Sequence, residues 1–358
     1  MQRVLSLAKP IRLLKTEARR SYHPHFRRSN AHLEPTTLLN NHPRVLITGS
    51  LGQLGLGLTK TLRDKYGPGN VIASDIRKPT SAFLESGPFV YADVLNRPQL
   101  ESLIVDFRID YLIHFSALLS AVGEKLPARA LEVNMVGFHN IVELAKIHNL
   151  RLFMPSTIGA FGPTTPPKNT PDFTIMRPTT IYGITKLHAE LLGEYYHDKF
   201  GVDFRSARYP GIISADTAPG GGTTDYAVEI FHDAVAGKEF TSFLNKDTRL
   251  PMMYLSDCLK GTVDLLEADA NTLKQRTYNM AAFSFTPEEL YLKIKQRLPN
   301  FKIQYAPDFR QAIADSWPQS LDDTRAREDW GWKPDYDLDA MVDDMLKKLS
   351  AENFAINN

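Results

Sequence analysis

The chain has 358 residues, a formal net charge of +1 and 43% apolar residues, enough to bury a substantial core. That charge balance leaves no electrostatic footprint for nucleic acid or an acidic membrane surface, and no apolar run reaches the roughly 18 residues a membrane helix needs. The single cysteine, Cys258, excludes an intrachain disulfide and a cysteine-built structural zinc site.

Residues 1 to 40 differ from the rest. Arg3, Lys9, Arg12, Lys15, Arg19, Arg20, Arg27 and Arg28 face a single acid, Glu17, and interleave with Val4, Leu5, Leu7, Ile11, Leu13 and Leu14. An Arg-rich, acid-poor amphipathic start has the composition of a mitochondrial transit peptide; a disordered basic tail is the alternative. Either way the segment is set apart from the fold, and the transit-peptide reading predicts a mitochondrial matrix location. The only closely spaced histidines, His23 and His25, lie here, and no metal site is expected.

The folded part opens with RVLITGSLGQLGLGLTKTL. Val45, Leu46 and Ile47 read as a strand buried on both faces, Gly49, Gly52 and Gly55 as a turn, and Leu56, Leu58, Leu62 and Tyr66 as a helical stripe. Strand, glycine turn and helix in succession place backbone N–H groups and a helix N-terminus where a pyrophosphate could bind. The next strand, NVIASD, ends at Asp75, 20 residues beyond Gly55, where an acid would accept hydrogen bonds from the adenosine ribose. Its charge favours NAD over NADP; Arg77 could instead accept a 2′-phosphate, stack on adenine or sit in solvent.

FVYAD leads to Asp93 and Val94, a helix follows over 98–107, and then come strand YLIHFSA with Ser116, a helix over 128–148 and strand LFMPST. This alternation predicts an α/β fold: a Rossmann-type, doubly wound parallel sheet in residues 41–210, with ligands at the carboxyl ends of its strands. After residue 210 come loops, short elements and the flexible insertion PGGGTT (219–224), expected to form a smaller substrate-binding lobe over 211–358. There, FTPEELYLKIKQRL signals a helix with Thr286 as cap and Pro287 in its first turn.

TIYGITKLHAE places Tyr182 four residues before Lys186 on a helix opening. Tyr195 with Lys199 and Tyr291 with Lys295 share that spacing, so context must decide. Removing a hydroxyl proton as hydride leaves the same carbon needs a base. Tyrosine serves only if a nearby ammonium lowers its pKa, with a Ser or Thr hydroxyl beside it to hold the substrate oxygen. Thr157, at the end of an apolar strand 25 residues before Tyr182, supplies that hydroxyl. Thr170, at the same distance from Tyr195, lies in a proline-rich loop.

With TGSLGQLG (48–55), PST (155–157) and YGITK (182–186), residues 44–350 resemble the extended short-chain dehydrogenase/reductase superfamily. PSTIGAFGP, RYPGIISADTAPGGGTTDYAVEIF, LPMMY and SWPQSLDD are similar, more narrowly, to its L-threonine 3-dehydrogenases. The resemblance implies NAD-dependent oxidation of the threonine C3 hydroxyl to 2-amino-3-ketobutyrate, a homodimer and a functional link to a CoA ligase acting on that product. It implies Tyr182 as base, Lys186 as its tuning and ribose-binding partner, and Thr157, with Ser156 beside it, orienting the substrate. Ser120, Thr223, Thr224 and Asp225 would hold the amino acid, and Trp317 would close over it. The cofactor positions implied are Gly49, Gly52, Gln53, Leu54, Gly55, Asp75, Ile76, Arg77, Asp93, Val94, Ser116, Asn134 and Ile212, together with Tyr182 and Lys186.

Several residues have plainer readings. His114 reads as a satisfied core histidine, Asn134 as a polar contact or a support for proton transfer to the lysine, and Ser120 as a strand terminator. Trp330 and Trp332 are expected to pack the C-terminal helix. A nucleotide-sugar epimerase or dehydratase shares fold, cofactor and Tyr/Lys pair, and Arg249 and Arg310 could serve its diphosphate. A catalytically silent NAD-binding protein is the third reading, from another class.

Overall fold

The continuous apolar run at Val45–Thr48 becomes β1, buried along its whole length, as a strand covered on both faces must be. The structure is a computed structural model that describes residues 42–216 and 222–356. The basic segment 1–40 and positions 219–221 of the glycine-rich insertion lie outside the described residues.

After β1 come α1 (Gln53–Tyr66), β2 (Val71–Asp75), α2 (Ser81–Glu85), β3 (Phe89–Tyr91), α3 (Arg97–Asp106) and β4 (Tyr111–His114). Then α4 (Ser120–Lys125), α5 (Pro127–Leu131) and α6 (Gly137–His148) lead to β5 (Arg151–Phe153) and β6 (Ser156–Thr157), and α7 (Ile181–Phe200) leads to β7 (Asp203–Tyr209). The strands pair in parallel in the order β7-β5-β4-β1-β2-β3, with β6 on β7. Strand order reverses between β1 and β4, so the crevice opens at their carboxyl ends. This is the Rossmann-type α/β sheet that the alternation predicted.

Two elements differ from their sequence reading. The helix expected over 128–148 is interrupted by a π-helical turn at Glu132–Val136, whose wider winding carries Asn134 inward. The single strand read in LFMPST breaks into β5 and β6 because Pro155 has no N–H to give to the ladder.

The chain crosses to a second layer at β8 (Gly211–Ile213), followed by α8 (Tyr226–Val235), β9 (Phe240–Ser242), β10 (Leu250–Tyr254) and α9 (Leu255–Glu267). It returns at β11 (Thr277–Asn279), which extends the main sheet beside β7, while α9 packs on α1. The division read at residue 210 is thus recrossed. β12 (Phe283–Phe285) and β8 flank β10 in a small sheet, and α10 (Pro287–Arg297) starts with the expected Thr286 cap, reciprocated by Glu289 as a capping box. One core cluster, around Phe231, Tyr226 and Phe285, is built almost wholly from residues after 210; two others cover the faces of the main sheet.

Candidate active site

The turn between β1 and α1 is built for close backbone approach. Gly49 adopts φ +70°, and a Cβ there would stand 2.6 Å from the Ser116 amide nitrogen; one on Gly55 would stand 2.4 Å from the Gly49 carbonyl oxygen. Protein packing therefore demands glycine at both. At Gly52 it does not: an added Cβ meets only the Gly49 oxygen, at 3.4 Å. What a side chain would obstruct there is the open side of the turn, where α1 begins with no side-chain cap and no acid in its first turn. Free N–H groups on a long helix suit a pyrophosphate, so the residues present fit the dinucleotide.

Asp75 closes β2. Its Oδ2 accepts from the Leu51 N–H and its Oδ1 from the Arg77 N–H, both at 3.0 Å. The Arg77 guanidinium, still largely exposed, folds onto the same carboxylate at 3.3 Å. Beyond Asp75, Leu51, Leu56, Arg77, Lys78, Pro79, Thr80 and Phe83 line a cleft of about 190 Å³. Lys78, Pro79 and Phe83 escaped the sequence reading because nothing in their spacing marks an adenine-sized space. Asp93 and Val94 follow β3, Ser116 follows β4, and Ile212 lies in β8; Gln53 and Leu54 open α1, and Ile76 is exposed just past Asp75.

Tyr182 and Lys186 stand on the first turns of α7, whose Thr180 cap accepts from the Gly183 N–H at 3.1 Å. Lys186 is buried, donates to the Pro155 carbonyl at 2.8 Å and lies 5.7 Å from the Tyr182 ring centre. The Tyr182 hydroxyl meets Thr157. Burial drives its pKa up to about 12, the Thr157 hydrogen bond opposing. The lowering expected from the lysine is not among the causes: desolvation dominates, and only Thr157 opposes it. Burial also brings Lys186 down to about 8, with the nearby Glu190 carboxylate working the other way. His114, Asn134, Thr185 and Lys186 line a cavity of about 10 Å³, room for about one water. His114 is a satisfied core histidine: Nδ1 lies 2.9 Å from the Thr48 hydroxyl, and burial and Lys186 hold its pKa down at about 3. The Asn134 amide is spent on both backbone groups of Leu118 and on the Thr185 hydroxyl.

The decoy pairs separate cleanly. Tyr195 is exposed on the outside of α7, and Tyr291 accepts from Lys295 in the other lobe's core. Trp317 and Thr157 both flank Gly159: a Cβ there would be 3.5 Å from the Trp317 ring and from the Thr157 hydroxyl. Trp332 is buried, but against Gly261 of α9 and the core of the main sheet rather than the C-terminal helix, and donates to Asp323 at 2.9 Å.

Three readings need correction. Ser156 does not face the crevice; its hydroxyl donates to Glu190 in the interior, because β6 pairs it with Arg208 on the α7 side. Asp225 uses Oδ2 to hold the Gly222 N–H at 2.8 Å, so it tethers its own loop. Arg249 and Arg310 are not free cations: they pair with Glu289 and Asp308. Ser120 opens α4 and is buried, as is Thr223, while Thr224 packs against Gly211 of β8. Glu190 and Arg208 had no sequence signal, since their partnership spans two elements.

Residues 45–281 match the NAD dependent epimerase/dehydratase family. The chain belongs to that family. Within it, 311 residues are 56% identical to the mitochondrial L-threonine 3-dehydrogenase of Bos taurus, covering 87% of this chain and 83% of the relative. An L-threonine dehydrogenase from Phytophthora infestans superposes with a TM-score of 0.84 at 54% identity, covering 86% of this chain and 99% of that one. The holo form of an L-threonine dehydrogenase from Cupriavidus necator gives 0.84 at 47% identity, over 86% and 100%. Family membership explains why the glycine turn, Asp75 and the Tyr182/Lys186 helix converge on one crevice.

Proposed function

We infer that the chain oxidises the C3 hydroxyl of L-threonine with NAD, yielding 2-amino-3-ketobutyrate. The observation that carries this is the placing of Thr157 opposite Tyr182, with Trp317 across Gly159 from it, beside a dinucleotide cradle, in a chain more than half identical to a threonine 3-dehydrogenase. Bound NAD supplies the hydride acceptor and a positively charged ring.

The chain's own residues do the rest. Thr157 takes an N–H from Gly159 at 3.1 Å, which orients its hydroxyl toward the substrate oxygen. Tyr182 accepts the substrate hydroxyl proton at its phenolic oxygen. Because burial raises its pKa, the Lys186 ammonium must stay charged to hold that oxygen deprotonated and ready to accept the proton. Ser120, Thr223 and Thr224 offer hydroxyls to the amino acid, and Trp317 excludes water above it. The commitment of Arg249 and Arg310 to Glu289 and Asp308 weighs against a nucleotide-sugar substrate, whose diphosphate needs cations.

An exposed apolar stripe supports a homodimer: Ile184, Leu191 and Tyr195 on α7 lie beside Val136 and Ile147 on and next to α6. The basic segment 1–40 supports entry into the mitochondrial matrix, in keeping with relatives named mitochondrial. A functional link to a CoA ligase follows from the product, a 2-amino-3-ketoacid. In the deciding assay, L-threonine reduces NAD while UDP-sugars neither react nor compete. Tight competition by a UDP-sugar without NADH formation would transfer the chain to the epimerases.

A further inference from the structure

We propose that Glu190 is a positioning residue of the catalytic centre, clamping through Ser156 the short strand that carries Thr157 and setting an anion one turn behind Lys186. The proposal rests on the threonine dehydrogenase reading and deepens it.

Tyr182, Lys186 and Glu190 fall at successive turns on one face of α7. The helix grips the β5–β6 junction at two adjacent residues: Lys186 donates to the Pro155 carbonyl at 2.8 Å, and Glu190 accepts from the Ser156 hydroxyl. Thr157 is the next residue. With Pro155 unable to join the ladder and β6 two residues long, Thr157 is held on one side by its pairing with Tyr209 of β7, and these two bonds hold the strand from the α7 side that carries Tyr182.

Glu190 is itself locked. Arg208, the register partner of Ser156 on β7, donates to Oε1 at 3.0 Å and to Oε2 at 2.8 and 3.1 Å. Its remaining nitrogen donates to the Asp172 carbonyl at 2.8 Å and the Asn279 side chain at 3.2 Å. Ser156, Glu190 and Arg208 are all nearly inaccessible. A buried ion pair of this kind is poorly explained by stability, because apolar residues of equal volume often serve as well or better. Geometry and charge at the adjacent centre are what this one supplies.

The groups facing Lys186 are Tyr182 and Glu190 on its own helix and His114 from β4, which stays neutral. Those facing Glu190 are Lys186 and Glu194 on α7, Arg208 on β7 and Asp172 from the loop before α7. Burial lowers the lysine pKa, and Glu190 resists that fall. Without the anion, the ammonium would be lost at a lower pH and Tyr182 would lose the cation it needs.

The test is steady-state kinetics of the full chain across pH, with L-threonine and NAD, on wild type, Glu190→Gln and Ser156→Ala, alongside thermal unfolding. In Glu190→Gln the alkaline limb of kcat moves down by about one pH unit and kcat at neutral pH falls about tenfold, while KM for NAD changes little. Ser156→Ala keeps the charge, so its kcat falls about fivefold with the limb in place. Variants that fold yet keep the wild-type kcat overturn the proposal. So does an unshifted limb in Glu190→Gln accompanied only by a lower melting temperature, which marks a purely structural role. If Glu190→Gln does not fold, Ser156→Ala decides alone: a wild-type kcat there overturns the clamp. Wild-type protein that forms no NADH from threonine would instead overturn the underlying reading of function.

Discussion

Replacing Asp75 by asparagine changes one atom and one charge at the end of β2, and the structure sets what that costs. Each carboxylate oxygen already accepts one backbone N–H at 3.0 Å, Oδ2 from Leu51 and Oδ1 from Arg77. A carboxylate has about four acceptor sites, and the exposed Arg77 guanidinium takes the second on each oxygen, at 3.3 Å to Oδ1 and 3.4 Å to Oδ2, so the two ribose hydroxyls bind by displacing it. The asparagine amide turns a donor toward one of those N–H groups, so a backbone bond and a ribose bond are lost together. A hydrogen bond to a charged group is worth about 1.5–3 kcal/mol, so kcat/KM for NAD falls roughly 10- to 150-fold. For NADP the sign reverses. Loss of the carboxylate charge removes repulsion of the 2′-phosphate and releases the Arg77 guanidinium, now held at 3.3 Å. The wild-type preference for NAD, at least about tenfold, should shrink toward parity or invert. Initial rates with each cofactor at saturating L-threonine, read from reduced nicotinamide absorbance, measure both. A folded Asp75→Asn protein with unchanged kcat/KM for NAD and an undiminished preference would refute the placement of the ribose at Asp75.

Tyr182→Phe should abolish nearly all turnover while NAD binding, followed by fluorescence titration, persists; residual turnover near wild type would remove Tyr182 as the base. Thr224→Ala or Ser120→Ala should raise KM for threonine more than KM for NAD, and an equal rise in both would take those hydroxyls away from the substrate. The pKa of His114 is about 3 in the fold against an ordinary 6.5. Above pH 6.5 the ring is neutral folded or unfolded, so it contributes no slope; below it only the unfolded chain takes up the proton, and stability is lost as pH falls toward 3, by at most about 1.4 kcal/mol per unit. Urea unfolding of wild type and His114→Gln checks this: over the first unit below pH 6.5 the wild-type loss exceeds the variant's by about 1 kcal/mol, and equal slopes refute it.

Much of the site was legible in the linear chain because its signals are local. The strand, the glycine turn and the start of α1 are contiguous, and packing demands glycine at Gly49 and Gly55 through neighbours brought close by the turn itself and by the adjacent strand β4. Tyr182 and Lys186 are one helical turn apart, so spacing alone brings them together, and the position of Thr157 at a strand end could be read from the apolar run before it. Tertiary structure decided what depends on contacts between distant segments. Ser156 and Thr157 are neighbours in sequence, yet only the pairing of β6 with β7 shows that Ser156 turns inward to Glu190 while Thr157 meets Tyr182. Arg77, Arg249 and Arg310 all read as free cations until the folded chain supplied Asp75, Glu289 and Asp308 as partners. The titration of Tyr182 followed the same rule: the nearby ammonium is written in the spacing, but the desolvation that pushes the phenol's pKa up exists only once the chain has folded around the start of α7.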